Sequence, residues 1–363
     1  MALASAEREL GRRLQLVQGI HWLYGAQGDA YAALLRGYGG DPRQEYARAR
    51  AAGPLWRSRL GTWVCTGYAP ARRLLQVRSG AGPAAQPQSA LAWDEGLSDA
   101  GELPDAGRVR EAAARAARRA SAELRGEVDL VAAVAARVPV EVLTDLHGLA
   151  GTDRDRLAGA CAGAAGALDA ALAPPAHDDA VRLLDAVGVL RELLGDAAAR
   201  QAVVGVRAAR ELIAGVLHAL LHVPESAGTA VRDPARLVTE TLRHDPPVKL
   251  HAFTVAEDVE VAGERVAAGE QVAVLVGAAN RDPGTFTAPD RFAPDRYAVG
   301  GVPEPLVPAP HGVDVQAFAR VQAEAVLAAV AASGTLSAAG SAVRLPRCPV
   351  TWGLGRLPAR VAG

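Results

Sequence analysis

Residues that could carry chemistry are concentrated in the second half of the chain. Glu240 and Arg243, in the motif ETLR, are three positions apart, so on a helix they share a face and can form an ion pair. His218 and His222 have the four-residue spacing of metal ligands on a helix, but no Glu follows His218 as in H-E-x-x-H. A pair of imidazoles near a helix C-terminus, where positive charge is favourable, is the simpler interpretation. We therefore predict no metal site.

Composition excludes several classes of function. The 363 residues are 50% hydrophobic and carry 40 acidic and 39 basic side chains. Because there is no excess of positive charge, neither nucleic acid nor an anionic membrane is favoured as the partner. Cys65, Cys161 and Cys348 lack C-x-x-C spacing, which argues against disulfide and zinc frameworks. The charged N-terminal residues do not resemble a signal peptide, and no stretch reaches the roughly 18 to 20 uncharged apolar residues that a membrane span requires. A cytoplasmic location is expected.

The periodicity of apolar residues predicts the helices and strands that position these residues. A series of helices is predicted from about 107 to 222, and the clearest, 202–223, has apolar residues at three- and four-residue steps. A short helix over 235–244, antiparallel strands over 253–276 and a helix over 316–332 follow. The Gly- and Pro-rich segment 78–107 is expected to be loose or irregular. We expect one domain over residues 1–363.

The order of motifs in the C-terminal half resembles that of bacterial cytochromes P-450, the thiolate-haem monooxygenases. ETLR is followed by PPV, then EDVEVAGERVAAGEQV, then AANRDPGTFTAPDRFAPDR, which ends at Arg296. The resemblance implies a mainly α fold with small β-sheets, the cytochrome P-450-like fold. It also implies that the following residues are determinants of that fold: Glu240, Arg243, Asn280, Arg281 and Arg296.

The loop that binds haem in this family, F-G-x-G-x-H-x-C-x-G-x-x-L-A-R, is matched by residues 306–320, and His311 and Arg320 fit the pattern. Val313 occupies the position of the haem cysteine, and an isopropyl group cannot bind iron. The neighbouring glycines, which let the backbone approach the porphyrin, are replaced by Val307, Ala309 and Val315. The resemblance therefore implies a family member without haem ligation.

Two further haem functions are altered. The oxygen-activating acid and alcohol of the family's central helix correspond to Arg207 and Ala208, which cannot relay a proton to oxygen. Phe253 replaces the arginine that holds a haem propionate. We predict a haem-free chain with no cofactor and no catalytic residue. An unusual haem monooxygenase, with His311 or Cys348 as substitute ligand, is the alternative.

One branch of the family departs in this way: the auxiliary proteins that activate deoxysugar glycosyltransferases in macrolide and anthracycline biosynthesis. The segment from Leu10 to Gly37 resembles the start of its erythromycin and desosamine members. A non-catalytic glycosyltransferase partner, in a heterodimer or heterotetramer, is the expected function, and a passive small-molecule-binding protein is a further alternative. Aromatic and apolar residues of this segment are candidates for partner binding, or equally for the chain's own core: His21, Trp22, Leu23, Tyr24 and Tyr31.

Overall fold

A computed structural model describes residues 2–37, 42–77, 91–95, 97, 105–298, 300–333 and 336–361. Helices dominate these residues. They are α1 Ala2–Ala26, α2 Ala30–Leu35, α3 Pro42–Ala51, α4 Tyr68–Gln76, α5 Ala106–Ala122, α6 Arg137–His147, α7 Gly151–Gly163, α8 Ala167–Ala170, α9 His177–Leu194, α10 Asp196–His222, α11 Pro224–Arg232, α12 Pro234–His244, α13 Val276–Ala279 and α14 Val315–Ser333. A π-helical turn, Val131–Ala135, precedes α6.

The strands are short and form four small sheets. They are β1 Leu55–Arg57, β2 Trp63–Cys65, β3 Gly126–Asp129, β4 His251–Thr254, β5 Val259–Val261, β6 Glu264–Val266, β7 Gln271–Val274, β8 Leu336–Ala338, β9 Val343–Arg344, β10 Leu354–Arg356 and β11 Pro358–Val361. The sheet orders are β1-β2-β7-β4, β3-β11-β8, β5-β6 and β9-β10. All pairs are antiparallel except β2 with β7.

The long helix α10 crosses the interior, as its apolar periodicity predicts. Leu212, Ile213, Val216 and Leu217 are fully buried, and α10 packs against α9, α12 and α14. It ends at His222, and Pro224 starts α11 at the position where a missing N–H costs nothing. The predicted series of helices, the short helix before Asp245 and the helix near the C-terminus are confirmed.

The valine-rich segment after α12 forms strands, as predicted. β5 and β6 pair around Ala262 and Gly263, both with positive φ, and Gly269 provides the turn before β7. Most of the segment predicted to be irregular, 78–107, lies outside the described residues. Its last residues are regular, because Asp105 caps α5 by accepting a hydrogen bond from the Arg108 N–H.

Among the described residues, α14 is long and apolar enough to cross a membrane by length and composition alone. Its apolar side chains instead pack inside the protein, where Ala323, Val326 and Leu327 are completely buried. They contact α5 and α10 in one hydrophobic cluster. α14 is therefore a core helix, and its hydropathy reflects burial.

Candidate functional site

The loop before α14 places Val313 in the interior. Pro310–Gly312 forms a single 3-10 turn, with His311 at φ 52° and Gly312 at φ 75°, and Asp314 then caps α14. Val313 is 2% exposed and Val315 is 1% exposed, so neither borders an open space. Both belong to the largest apolar cluster. The sequence predicted the position of Val313 in a loop, and the structure adds that its side chain is packed.

His311 is held by neighbours on another segment of the chain. Its Nδ1 lies 2.7 Å from the Asp94 carboxylate, and its ring lies 4.7 Å from that of Trp93. Burial by itself would raise the pKa of Asp94, but the hydrogen bond and positive charge of His311 outweigh it, so that pKa lies below its ordinary value. The observed role of His311 is therefore to fix the loop to residues 93–94.

The centre of α10 lies directly on α14. A Cβ atom at Gly205 would stand 3.2 Å from the Phe318 ring, so glycine permits this close approach of the two helices. Ala208, at the position of the family's alcohol, is fully buried in the apolar core. Small side chains on α10 thus bring it against α14 without a polar group at this point.

Arg207 enters a buried polar network. Its Nη2 donates to the Thr351 hydroxyl at 2.7 Å and lies 3.7 Å from Asp169, while its Nε lies 3.2 Å from Glu211. Its side chain is 4% exposed, so these charges interact with little solvent screening. At the position where the resemblance implies a proton-delivering acid, Arg207 is therefore a cation that binds neighbouring elements.

Asp169, on α8, binds the segment that precedes β10. It accepts hydrogen bonds from the Val350 and Thr351 N–H groups at 2.8 and 3.0 Å and from the Thr351 hydroxyl at 2.7 Å. Burial raises its pKa above the ordinary value, although Arg207 and these donors act in the opposite direction. Together with Arg207, Asp169 ties α8, α10 and the C-terminal segment into one unit.

Lys249 also binds the segment that precedes β10. Its Nζ donates to the carbonyl oxygens of Thr351 and Pro246 at 2.7 and 3.0 Å and lies 2.9 Å from the Asp245 carboxylate. Three acceptors satisfy the three donors of an ammonium group. Lys249 is therefore a structural cation rather than a free nucleophile.

Neither candidate substitute ligand, Cys348 or His311, is available to bind haem iron. The Cys348 thiol contacts the Pro346 carbonyl oxygen at 3.3 Å, and burial raises its pKa to about 12, so the thiolate that a metal requires is strongly disfavoured. His311 is already paired with Asp94. With the packed Val313 at the ligand position, these side chains do not fit a haem.

The position expected to hold a propionate is also apolar. Phe253, on β4, is 9% exposed, and its ring stacks on that of His251 with centroids 5.3 Å apart. Burial, with a smaller contribution from the charge of His311, lowers the pKa of His251 to about 3, so this imidazole is neutral at neutral pH. Neither residue offers a cation to a carboxylate.

The five residues predicted to determine the fold lie together around the C-terminus of α12. Arg243 is completely buried and forms a bidentate pair with Glu240, at 2.8 Å for both bonds. It also donates to the carbonyl oxygens of Asn280, Pro289 and Arg291 at 3.0, 2.8 and 3.1 Å. One guanidinium thereby satisfies backbone acceptors of a long irregular segment.

Asn280, Arg281 and Arg296 complete this cluster. Asn280 donates to the Leu306 carbonyl oxygen at 3.0 Å and accepts from the Leu306 N–H at 2.8 Å. Arg281 donates to the His244 carbonyl oxygen, and Arg296 donates to the Thr287 carbonyl oxygen at 2.6 Å. The segment from 280 to 306 is thus held by side chain to backbone bonds.

The predicted partner-binding residues divide between two faces of the N-terminal helices. His21 and Tyr31 are 4% and 2% exposed and point into the chain's own core, and Tyr24 is half-buried against that core. Burial lowers the pKa of His21 to about 4. Trp22 and Leu23 are 44% and 54% exposed, and Arg36 stacks on the Trp22 ring at 3.9 Å.

An exposed apolar stripe on α1 includes Leu23, a predicted partner-binding residue, but the repeat that joins it to Leu16 was not recognised in the sequence. Leu16 and Ile20 are 64% and 36% exposed and, with Leu23, recur at steps of four and three residues. Leu14 and His21 lie on the opposite, buried side of α1. Two apolar repeats on one helix were the available signal, and the sequence alone could not show which one faces the core.

The imidazoles of His218 and His222 stack with ring centroids 4.4 Å apart, and His222 Nδ1 contacts the His218 carbonyl oxygen. Burial lowers the pKa of His218 to about 4. No group of three or more His, Cys, Asp or Glu side chains with metal-binding geometry occurs in the described ranges. The pair is accounted for by its contacts within α10.

Comparison with known proteins identifies the fold. The P-450 RauA, solved in complex with a biosynthetic intermediate of aurachin RE, superposes with a TM-score of 0.71 at 21% identity, covering 91% of this chain and 100% of that chain. The model of the family described as cytochrome P-450 matches residues 235–304. The helices and small sheets above are therefore those of the cytochrome P-450 fold.

Sequence relatives match nearly the whole chain. AknT of Streptomyces galilaeus is 34% identical over 97% of this chain and 96% of its own length. DesVIII of Streptomyces venezuelae is 36% identical over 96% and 92%, and the cytochrome P-450 family protein EryCII of Saccharopolyspora erythraea is 34% identical over 96% and 97%. This chain belongs to the cytochrome P-450 superfamily, which confirms the resemblance noted in the sequence.

Proposed function

We propose that this chain is a haem-free, non-catalytic partner of a nucleotide-deoxysugar-dependent glycosyltransferase in polyketide antibiotic biosynthesis. It binds that enzyme and stabilises or allosterically activates it, in a heterodimer or heterotetramer in the cytoplasm. The resemblance to the auxiliary proteins implies this function. Similarity to AknT, DesVIII and EryCII over at least 96% of the chain supports it.

The observation that carries the proposal is the packed Val313 at the expected ligand position. A thiolate-haem monooxygenase depends on its cysteine, and here an aliphatic side chain is buried in the core. Arg207 and Ala208 remove the proton relay, and Phe253 removes the propionate anchor. A protein without these groups retains the fold as a scaffold for protein contacts.

The exposed stripe on α1 is the partner surface that we propose. Leu16, Ile20 and Leu23 present a row of apolar side chains to solvent, with Trp22 beside them. Contiguous exposed apolar side chains favour a protein interface, and aromatic anchors dominate interface energies. His21 and Tyr31 then support α1 from the core, and they do not contact the partner directly.

Activation follows from differential binding. A partner that binds the active conformation of the transferase more tightly than the inactive one raises the population of the active state by the ratio of its two affinities. A stable, rigid scaffold is suited to this, because it pays little conformational entropy on binding. The chain itself then contributes no group to sugar transfer.

The test is co-expression with a deoxysugar glycosyltransferase of the same biosynthetic gene cluster. We expect a complex that co-purifies by gel filtration, and transferase activity that depends on this chain. Leu23→Glu should weaken the complex at least about tenfold, since it places a charge in an apolar contact. Val231→Glu, at an apolar residue that is 71% exposed on α11, is the matched control and should bind normally.

Two results would contradict this proposal. Full transferase activity without this chain would remove the activator role. Unchanged affinity for Leu23→Glu would instead move the interface away from α1 and leave the activator role intact.

A further inference from the structure

A cleft on the side of α10 away from α14 is not used by the proposed function. It has a volume of about 550 Å³, within the range of small-molecule sites. Ala136 and Val140 line one wall, Ala158 and Ala162 line the other, and Val203 and Val206 form part of the floor. The walls belong to α6 with its preceding turn and to α7, and the floor belongs to α10.

The cleft is mainly apolar, and carboxylates accompany its arginines. Its charged lining residues are Arg137, Arg154, Arg207 and Arg210 on the basic side and Glu141 and Asp155 on the acidic side, and Glu211 on α10 pairs with both Arg207 and Arg210. Glu141 is buried and pairs with Arg137 at 2.6 Å. Because each of these arginines has a carboxylate partner, the cleft favours a neutral molecule over an anion or a cation.

One polar group of the lining, the Arg207 Nε–H, lacks a hydrogen-bond acceptor in the part of the chain that the structure describes. Arg207, which is 4% exposed, lines the cleft, and its Nε forms no hydrogen bond among the described residues. The Glu211 carboxylate neutralises its charge from 3.2 Å without accepting a hydrogen bond from Nε. A buried donor without an acceptor is costly, so an acceptor oxygen supplied by a ligand would be favourable here.

We infer that this cleft binds a neutral, apolar small molecule that carries a carbonyl or similar acceptor oxygen. The small alanine side chains of both walls leave room for its apolar body, and Arg207 supplies a donor at the floor. The site does not depend on the transferase, so it can succeed or fail independently of the proposed function.

The experiment is a fluorescence titration of the purified chain with prodan, a neutral naphthalene ketone whose emission shifts to the blue in apolar surroundings. We expect saturable binding at one site per chain. Ala162→Trp, which fills the cleft from an exposed position on α7, should weaken binding at least about tenfold. Ala331→Trp, at an exposed position on α14 that does not line the cleft, should bind prodan as wild type does.

A second probe examines the acceptor oxygen. N-phenyl-1-naphthylamine has a similar apolar body without a carbonyl group, and it should bind several-fold more weakly than prodan. Absence of saturable prodan binding, or equal binding by Ala162→Trp and Ala331→Trp, would overturn the assignment. Loss of transferase activation by Ala162→Trp with prodan binding intact would assign the cleft to the protein partner instead, and would also overturn it.

Discussion

Two regions of this molecule resemble a haem enzyme to different extents. The retained region, from α12 to Leu306, has a buried polar network around Arg243, and the family model matches residues 235–304 within it. The loop before α14, the centre of α10 and β4 instead carry the buried apolar side chains of Val313, Ala208 and Phe253, at positions where the resemblance implies polar or ligating groups.

The difference shows which features the fold itself requires. Arg243 satisfies three backbone carbonyl oxygens, of which the Arg291 oxygen also accepts a longer bond from Arg296, so its loss would leave buried acceptors unpaired. The haem-related positions need no polar side chain, because apolar side chains fill the space there. Buried polar contacts, above all those of Asp169 with the C-terminal segment, stabilise the neighbourhood of Val313, Ala208 and Phe253, which we call the rebuilt region.

The largest expected effect is in the retained region. Arg243→Ala should lower the free energy of unfolding by about 3 to 5 kcal/mol, because the buried Glu240 loses its bidentate partner and keeps only Arg296, at 3.7 Å, as a nearby cation. Thermal melting measures this. Arg265→Ala, which breaks an exposed pair with Asp258, is the control and should melt as wild type does. Equal melting temperatures for the two variants would contradict the distinction between the regions.

A smaller loss of stability is expected at the buried network of Arg207 and Asp169. Arg207→Met should cost about 2 to 3 kcal/mol, because Asp169 loses its nearby cation but keeps its hydrogen bonds to Thr351 and Val350. Adding Asp169→Asn should restore part of the loss, since the remaining buried charge is removed. Chemical denaturation of the two single variants and the double variant provides the coupling energy. Additive losses would show that the two residues do not form a pair.

The pH dependence of stability tests the burial of His251 on β4. His251 binds a proton more weakly in the folded chain, where its pKa is about 3, than in the unfolded chain, where the ordinary value is 6.5. Its contribution to stability is therefore present above pH 6.5 and is lost as the pH falls below 6.5. His251→Phe should reduce the acid destabilisation between pH 6.5 and 4.5 by about 1 to 2 kcal/mol. Melting curves that fall in parallel for variant and wild type would exclude this role.

The smallest effect is expected for Val313→Cys. This change restores the family's thiol but leaves Val307, Ala309 and Val315 in the loop and Arg207 on α10. It should cost only about 0.5 to 1.5 kcal/mol for the lost packing of a buried Val313, and it should not create haem binding. Absorption spectra after expression with a haem precursor measure this. Uptake of haem by the variant would show that the rebuilt region still accommodates a porphyrin.

Much of the fold was predictable because its signals are local. The apolar steps of α10, the valine-rich strands and the motif around Glu240 and Arg243 each depend on residues close together in sequence. The contacts of Asp169 were not predictable, because Thr351 is 182 positions away and an isolated carboxylate in an alanine-rich segment shows no partner. The two faces of α1 were ambiguous for a related reason, since tertiary packing alone decides that His21 is buried and Leu23 is exposed.

The central claim is that the rebuilt region no longer binds haem. The most direct test is the absorption spectrum of the purified wild-type chain, expressed with added haem precursor and recorded before and after reduction under carbon monoxide. We predict no Soret band in either state. A stoichiometric Soret band would contradict the account, because another residue would then have replaced the ligand that Val313 cannot provide.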